Sequence, residues 1–121
     1  MTATIDAAAL CKMAERGQIT GGLLDGPLAF DNAISKEAAK VKNIRSAVAG
    51  DPDILLVPDL EAGNILAKQL TFLANADSAG LVLGAKVPII LTSRADSVRS
   101  RIASCGIAML AAHARRQRQV A

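Results

Sequence analysis

The residues best equipped for chemistry lie at two corners of the sequence. The first holds Asp59, Gly63 and Asn64 within DILLVPDLEAGNILAKQL (residues 53–70), and the second holds Thr92, Ser93, Arg94 and Asp96 within VPIILTSRADSVRSRI (residues 87–102). In each, an apolar run stops at polar residues and leads into a helical pattern. A helix start presents unpaired N–H groups and the positive end of the helix dipole, so it attracts anions. Gly63 lets a ligand come close to the backbone, and Asn64 offers an amide. Thr92 and Ser93 supply hydroxyls, and Arg94 supplies a planar cation whose fork matches phosphate. These types suggest an anionic or nucleotide-like ligand. The competing reading is structural, with Ser93 or Asp96 as a helix N-cap and Gly63 as a packing residue. Asp59 and Glu61 also oppose a bare phosphate at the first corner. Spacing alone leaves both readings open.

Other reactive types carry less. Asp25, Asp31 and Asp51 sit among turn residues and read as turn formers rather than paired acid/base groups. His113 stands alone near the C-terminus, outside any Ser/His/Asp or metal-ligand spacing. Cys11 and Cys105 form no metal-type pair, and in a chain this apolar they read as reduced, buried thiols of a cytoplasmic protein.

The elements that must position the corners follow from periodicity. Asp6 is expected to cap a first helix, with Ile5 and Leu10 as its hydrophobic staple, and Gly17 to close it. Leu10, Met13 and Ala14 are its apolar face. Thr20–Asp25 and Ile44–Val48 read as short strands, separated by a turn-rich loop and a short polar helix near Lys36–Lys42. Ile54–Val57 has no polar alternation, which marks a strand covered on both faces. Gly63–Leu73 is its helix, with Ile65, Leu66, Leu70 and Leu73 facing inward. Leu81–Leu83 and Val87–Leu91 are further strands, and Pro88 places the latter at an edge or at its first residue. The last helix runs from about Asp96 to Arg115, burying Val98, Ile102, Cys105 and Met109. Strands alternating with helices predict an α/β fold with a largely parallel sheet and flanking helices.

The whole chain is consistent with one domain or part of a larger one. It has 121 residues, of which 51% are hydrophobic but only 2% aromatic, so its core must be Leu, Ile, Val and Ala. That scarcity of aromatics disfavours a stacking surface for single-stranded nucleic acid. Much of the net charge of +3 sits at Arg115, Arg116 and Arg118, where basic residues complement a helix C-terminus rather than form a nucleic-acid arm. No apolar stretch approaches the ~20 residues of a membrane span.

Several long blocks carry more than composition does. LLDGPLAFDNAIS, VAGDPDILLVPDLEAGNILAKQL and GAKVPIILTSRADS resemble the phosphate acetyltransferase and phosphate butyryltransferase family, most nearly the form fused behind an enoyl-CoA hydratase domain. The blocks occur in order, and the resemblance runs from about Ile5 to Ala112. It implies interconversion of acyl-CoA plus inorganic phosphate with acyl phosphate plus CoA. It implies no metal or other cofactor, the CoA thioester being a substrate, and a cytoplasmic homodimer. The implied fold is two-lobed and isocitrate dehydrogenase-like. Residues 1–80 would belong to its second, dimerising lobe and residues 81–121 to a segment returning to the first, with the N-terminal part of the family domain absent.

By the same resemblance, the family's serine–arginine pair falls on Ser93 and Arg94, the serine serving the transition state and the arginine phosphate or CoA. The family's acidic residue falls on Ser100, so Asp96 is the carboxylate left to strip the CoA thiol proton or orient phosphate, unless it is only a cap. Thr92 joins the ligand-binding set, and Asp59, Gly63 and Asn64 line the cleft. The isolated chain is expected to be weakly active or inactive. The rival expectation is a non-catalytic module that self-associates or binds phosphate compounds. Apolar surface left uncovered predicts oligomerisation.

Overall fold

The structure, a computed structural model, describes residues 1–120, with side chains described through residue 117. It divides into two compact units, Met1–Ala62 and Gly63–Ala121.

In the first unit, α1 (Thr2–Glu15) begins earlier than the sequence predicted, so Asp6 lies inside the helix and no side chain caps it. Thr and Ile lower helix propensity only slightly, so TATI joins the alanine-rich run that follows. The predicted end holds. Gly17 takes φ +72°, its N–H reaches Ala14 O at 2.9 Å, and Gln18 N–H reaches Met13 O at 2.9 Å. That pair of bonds satisfies the last carbonyls of the helix. Asn43 (φ 54°) ends the helix α3 (Lys36–Val41) in the same way, through Asn43 N to Lys40 O and Ile44 N to Ala39 O.

Two short helices, α2 (Phe30–Ile34) and α3 (Lys36–Val41), pack together. Ser35 joins them, its hydroxyl accepting from Ala38 N–H at 3.2 Å. Asn32 is the buried residue of α2 and Ala39 that of α3. Gly50 seals this region. Its N–H donates to Ala33 O at 2.9 Å, its φ is +90°, and a Cβ there would lie 2.5 Å from Lys36 Cα.

The predicted strands at Thr20–Asp25, Ile44–Val48 and Ile54–Val57 do not form a ladder. Ile54–Val57 is irregular, and Ile54 is 83% exposed. A parallel strand needs partners on both sides and cover on both faces, and these residues acquire neither.

Helix α4 (Leu60–Phe72) starts three residues before the predicted Gly63 and spans the division between the units. Asp59 Oδ1 caps it, accepting from Ala62 N–H at 2.7 Å. Its predicted inward face is mostly exposed. Ile65, Leu70 and Leu73 face solvent, and only Leu66 is half-buried.

In the second unit, β1 (Leu81–Val82) and β2 (Ile89–Ile90) pair antiparallel, Leu81 with Ile90 and Val82 with Ile89. The sheet is two-stranded, so the largely parallel sheet is corrected to a small antiparallel one. Pro88 stands immediately before β2, where its missing N–H costs nothing. Both strands pack on α5 (Val98–Val120). The face of α5 they cover is not the predicted stripe. Ser104 (1% exposed) and Ala108 are buried, whereas Val98, Ile102, Cys105 and Met109 are exposed. Small residues let the hairpin backbone approach the helix closely, which larger side chains would prevent.

Candidate functional site

The second corner is a closed turn between β2 and α5. Asp96 Oδ2 accepts the Ser93 N–H at 2.6 Å, and the Asp96 N–H returns to Ser93 O at 3.1 Å. Ser93 Oγ accepts from Ala95 N–H at 3.3 Å. Asp96 therefore does not cap α5. Ser97 does, its hydroxyl accepting from Ser100 N–H at 3.1 Å. Ser93 and Asp96 are half-buried, while Thr92 and Arg94 are exposed. Among the described residues the Arg94 guanidinium has neither hydrogen-bond nor ion-pair partner. Its carbonyl is held by Arg101, whose Nη2 donates at 3.3 Å.

A line of serine hydroxyls fastens this turn to the hairpin. Ser97 and Ser100 hydroxyls meet at 3.1 Å, and Ser78 Oγ donates to Ser100 Oγ at 3.4 Å. Ser104 Oγ donates to Ser100 O at 2.7 Å and accepts from Gly80 N–H at 3.0 Å. The approach at Gly80 admits no side chain, since a Cβ there would lie 2.0 Å from Leu91 O. Arg99 pairs with Asp77 at 2.6 Å, and Arg115 donates to Ala85 O, both on the surface of the same unit. Because α5 continues to Val120, Arg115 and Arg116 lie within the helix rather than at its last turn. The Arg118 side chain falls outside the described residues.

At the first corner, Asp59 is spent on capping. Gly63, half-buried, and exposed Asn64 lie inside α4 beyond its first residues. Among the described residues, no hydrogen bond or element packing joins Gly63 and Asn64 to the 92–96 turn.

The sequence reading passed over Ser97, Arg101 and Ser104, whose spacing along one helix face was the available signal. It also passed over an open basin of about 570 Å³ in the first unit, lined by Lys36, Lys40, Arg45, Ser46 and Asp51. The charge run KEAAKVKNIR was its trace in the sequence. Lys36 pairs with Asp51 there, and Lys42 pairs with Asp31 at 3.0 Å. Those ammonium groups, chiefly through hydrogen bonds, hold the Asp31 and Asp51 carboxyls below their ordinary range. Asp25 lies in irregular backbone, its carboxylate accepting from Gly26 N–H at 2.8 Å. Both cysteines are free. Cys11 is half-buried, and burial, then Asp25 and Glu15, push its thiol pKa up, while Cys105 is exposed rather than buried. His113 is an exposed residue of α5. Among the described residues no helix is long and apolar enough to cross a membrane.

Residues 1–109 match the family described as phosphate acetyl/butaryl transferase. The chain belongs to that family. It is 74% identical over 118 residues to the phosphate acetyltransferase of Rhizobium meliloti, covering 98% of this chain and 37% of that protein. It is 50% identical over 112 residues to the phosphate butyryltransferase of Clostridium beijerinckii, covering 93% of this chain and again 37% of the relative. The crystal structure of a branched-chain phosphotransacylase from Enterococcus faecalis V583 is similar at a TM-score of 0.75 and 38% identity, over 90% of this chain and 39% of that one. The chain thus spans about a third of the length of the relatives it matches.

Proposed function

We propose that this chain is part of a phosphate acyltransferase that interconverts acetyl- or butyryl-CoA plus phosphate with acyl phosphate plus CoA. The observation that carries the reading is the family match together with the Thr92–Asp96 turn. That turn fixes Ser93 in place and leaves the Arg94 guanidinium exposed and unpaired among the described residues. Phosphate attacking a thioester carbonyl adds negative charge on oxygen to the charge it already carries. A cation and a hydroxyl carried on a turn whose backbone is held stabilise that charge. Ser93 and Arg94 take those roles, Thr92 contributes a second hydroxyl, and Gly63, Asn64 and Asp59 line the cleft of the assembled enzyme. The CoA thioester enters as substrate, with no resident cofactor. In the two-lobed family fold, residues 1–80 belong to the dimerising lobe and 81–121 to the other, in a cytoplasmic homodimer.

The test is phosphate-dependent release of CoA thiol from acetyl-CoA and butyryl-CoA by the folded chain. Turnover is expected to be weak, and Ser93→Ala and Arg94→Ala are each expected to lower it about a hundredfold. Turnover that survives both substitutions would remove the turn from the mechanism. A folded chain with no turnover, alone or joined to the remaining length of a family member, would reject the reading for this sequence.

A second reading draws on the exposed faces of α4 and α5, where Ile65 (59%) and Val98 (73%) stand among other bare apolar side chains. A non-catalytic self-associating module would expose such faces. Concentration-dependent dimerisation in sedimentation, without binding of CoA or phosphate, is its signature.

A further inference from the structure

Asp96 is the carboxylate nearest in sequence to Ser93 and Arg94, and its position in the turn defines what it does there. Its Oδ2 is 2.6 Å from the Ser93 backbone nitrogen, a short bond to a charged acceptor. Its own N–H is committed to Ser93 O at 3.1 Å. The carboxylate therefore folds back on the turn that carries Ser93 and Arg94. On the other side, Arg101 reaches from α5 to the Arg94 carbonyl at 3.3 Å. Ser93 and Arg94 are thus held through their backbone by two side chains, Asp96 and Arg101. The Ser100 hydroxyl meets Ser97 and Ser78 instead.

We infer that Asp96 is a positioning residue for the acyl-transfer corner. It acts as a hydrogen-bond acceptor that holds the backbone of the turn from which the Ser93 hydroxyl and the Arg94 guanidinium project, not as the base that takes a proton from CoA. This rests on the acyl-transfer reading of that corner. An acceptor role needs only an oxygen, and the amide of asparagine supplies one at the same distance. A base role needs a carboxylate that can gain a proton, which asparagine cannot do.

The experiment uses the full 121-residue chain, 15N-labelled, as wild type, Asp96→Asn and Asp96→Ala. Hydrogen exchange at the Ser93 amide reads the positioning bond directly, whether or not the chain turns over. Loss of a charge-assisted bond is expected to speed exchange about tenfold or more in Asp96→Ala, while Asp96→Asn stays within about threefold of wild type. Equal exchange in all three overturns the inference. Phosphate-dependent CoA release is then measured on the same samples. Asn is expected to rescue most of the kcat that Ala loses. Loss of turnover in Asp96→Asn with Ser93 still protected is the mark of a proton-transfer role and also overturns it. Should Asp96→Ala fail to fold, the pairing of exchange and turnover in Asp96→Asn decides by itself. A folded wild type without turnover even when joined to the remaining length of a family member counts against the acyl-transfer reading, and the Ser93 exchange series still decides whether Asp96 holds the turn.

Discussion

The α2–α3 region and the hairpin–α5 region differ in what fastens them. Around α2 and α3, Lys36–Asp51 and Lys42–Asp31 join segments distant in sequence, and all four side chains are more than half exposed. Around α5, Ser78, Ser100 and Ser104 join the hairpin to the helix, and Ser104 is almost wholly buried. Exposed ion pairs are screened by water and salt and contribute little. A buried hydroxyl that satisfies a backbone N–H is costly to remove, because the donor is left without a partner. The region that carries Ser93 and Arg94 is therefore the one whose fastening includes a buried hydroxyl, alongside the exposed Arg99–Asp77 pair.

The largest effects should come from the one glycine in each region that admits no Cβ. Gly80→Ala drives a methyl into Leu91 O and should cost about 3 kcal/mol or more, seen as loss of the urea transition. Gly50→Ala meets Lys36 backbone at positive φ and should cost a similar amount, so both regions break alike when backbone contact is the target. Unequal losses would show that one contact relaxes.

Side-chain removal should then separate the regions. Ser104→Ala leaves the Gly80 N–H unpaired and is expected to cost about 1–3 kcal/mol in denaturant unfolding. Lys36→Met, which removes an exposed pair, should change stability by less than about 1 kcal/mol. A reversal of that order would refute the contrast.

The smallest effect is electrostatic. Asp31 and Asp51 have folded pKa values below their unfolded ones, so their contribution is present above the unfolded carboxylate range near pH ~4 and is lost as pH falls through the lowered values. Melting followed from pH 6 downward should show a small decline that 1 M salt diminishes and that Lys36→Met and Lys42→Met together remove.

Local signals were legible in the sequence. Gly17 ends α1, α3 lies within the expected Lys36–Lys42, Pro88 precedes β2, and the 92–96 turn leads into α5. Each depends on backbone chemistry confined to a few neighbours. The parallel sheet and the buried stripes of α4 and α5 were not realised. Ile54–Leu56, Leu73 and Val98 are patterned for burial, but burial needs facing surfaces, and the chain spans 37% of its Rhizobium relative. Apolar periodicity records which faces a sequence is built to cover, not whether the cover lies in the same residues. At the site, the types in TSRADS were readable. The direction of the Asp96 carboxylate was not, because one residue separates capping α5 from closing the turn, and Ser97 holds the cap.

The two free thiols turn that uncovered helix into an instrument. Each compact unit holds one, Cys11 in the first and Cys105 in the second. A thiol reacts as its thiolate, so the raised pKa of half-buried Cys11 makes it the slower nucleophile at neutral pH. A maleimide dye added in limited amount will mark Cys105 first. Cys105 shares a helix face with Ile102 and Met109, so the dye's colour and labelling rate will report the moment any polypeptide settles onto α5.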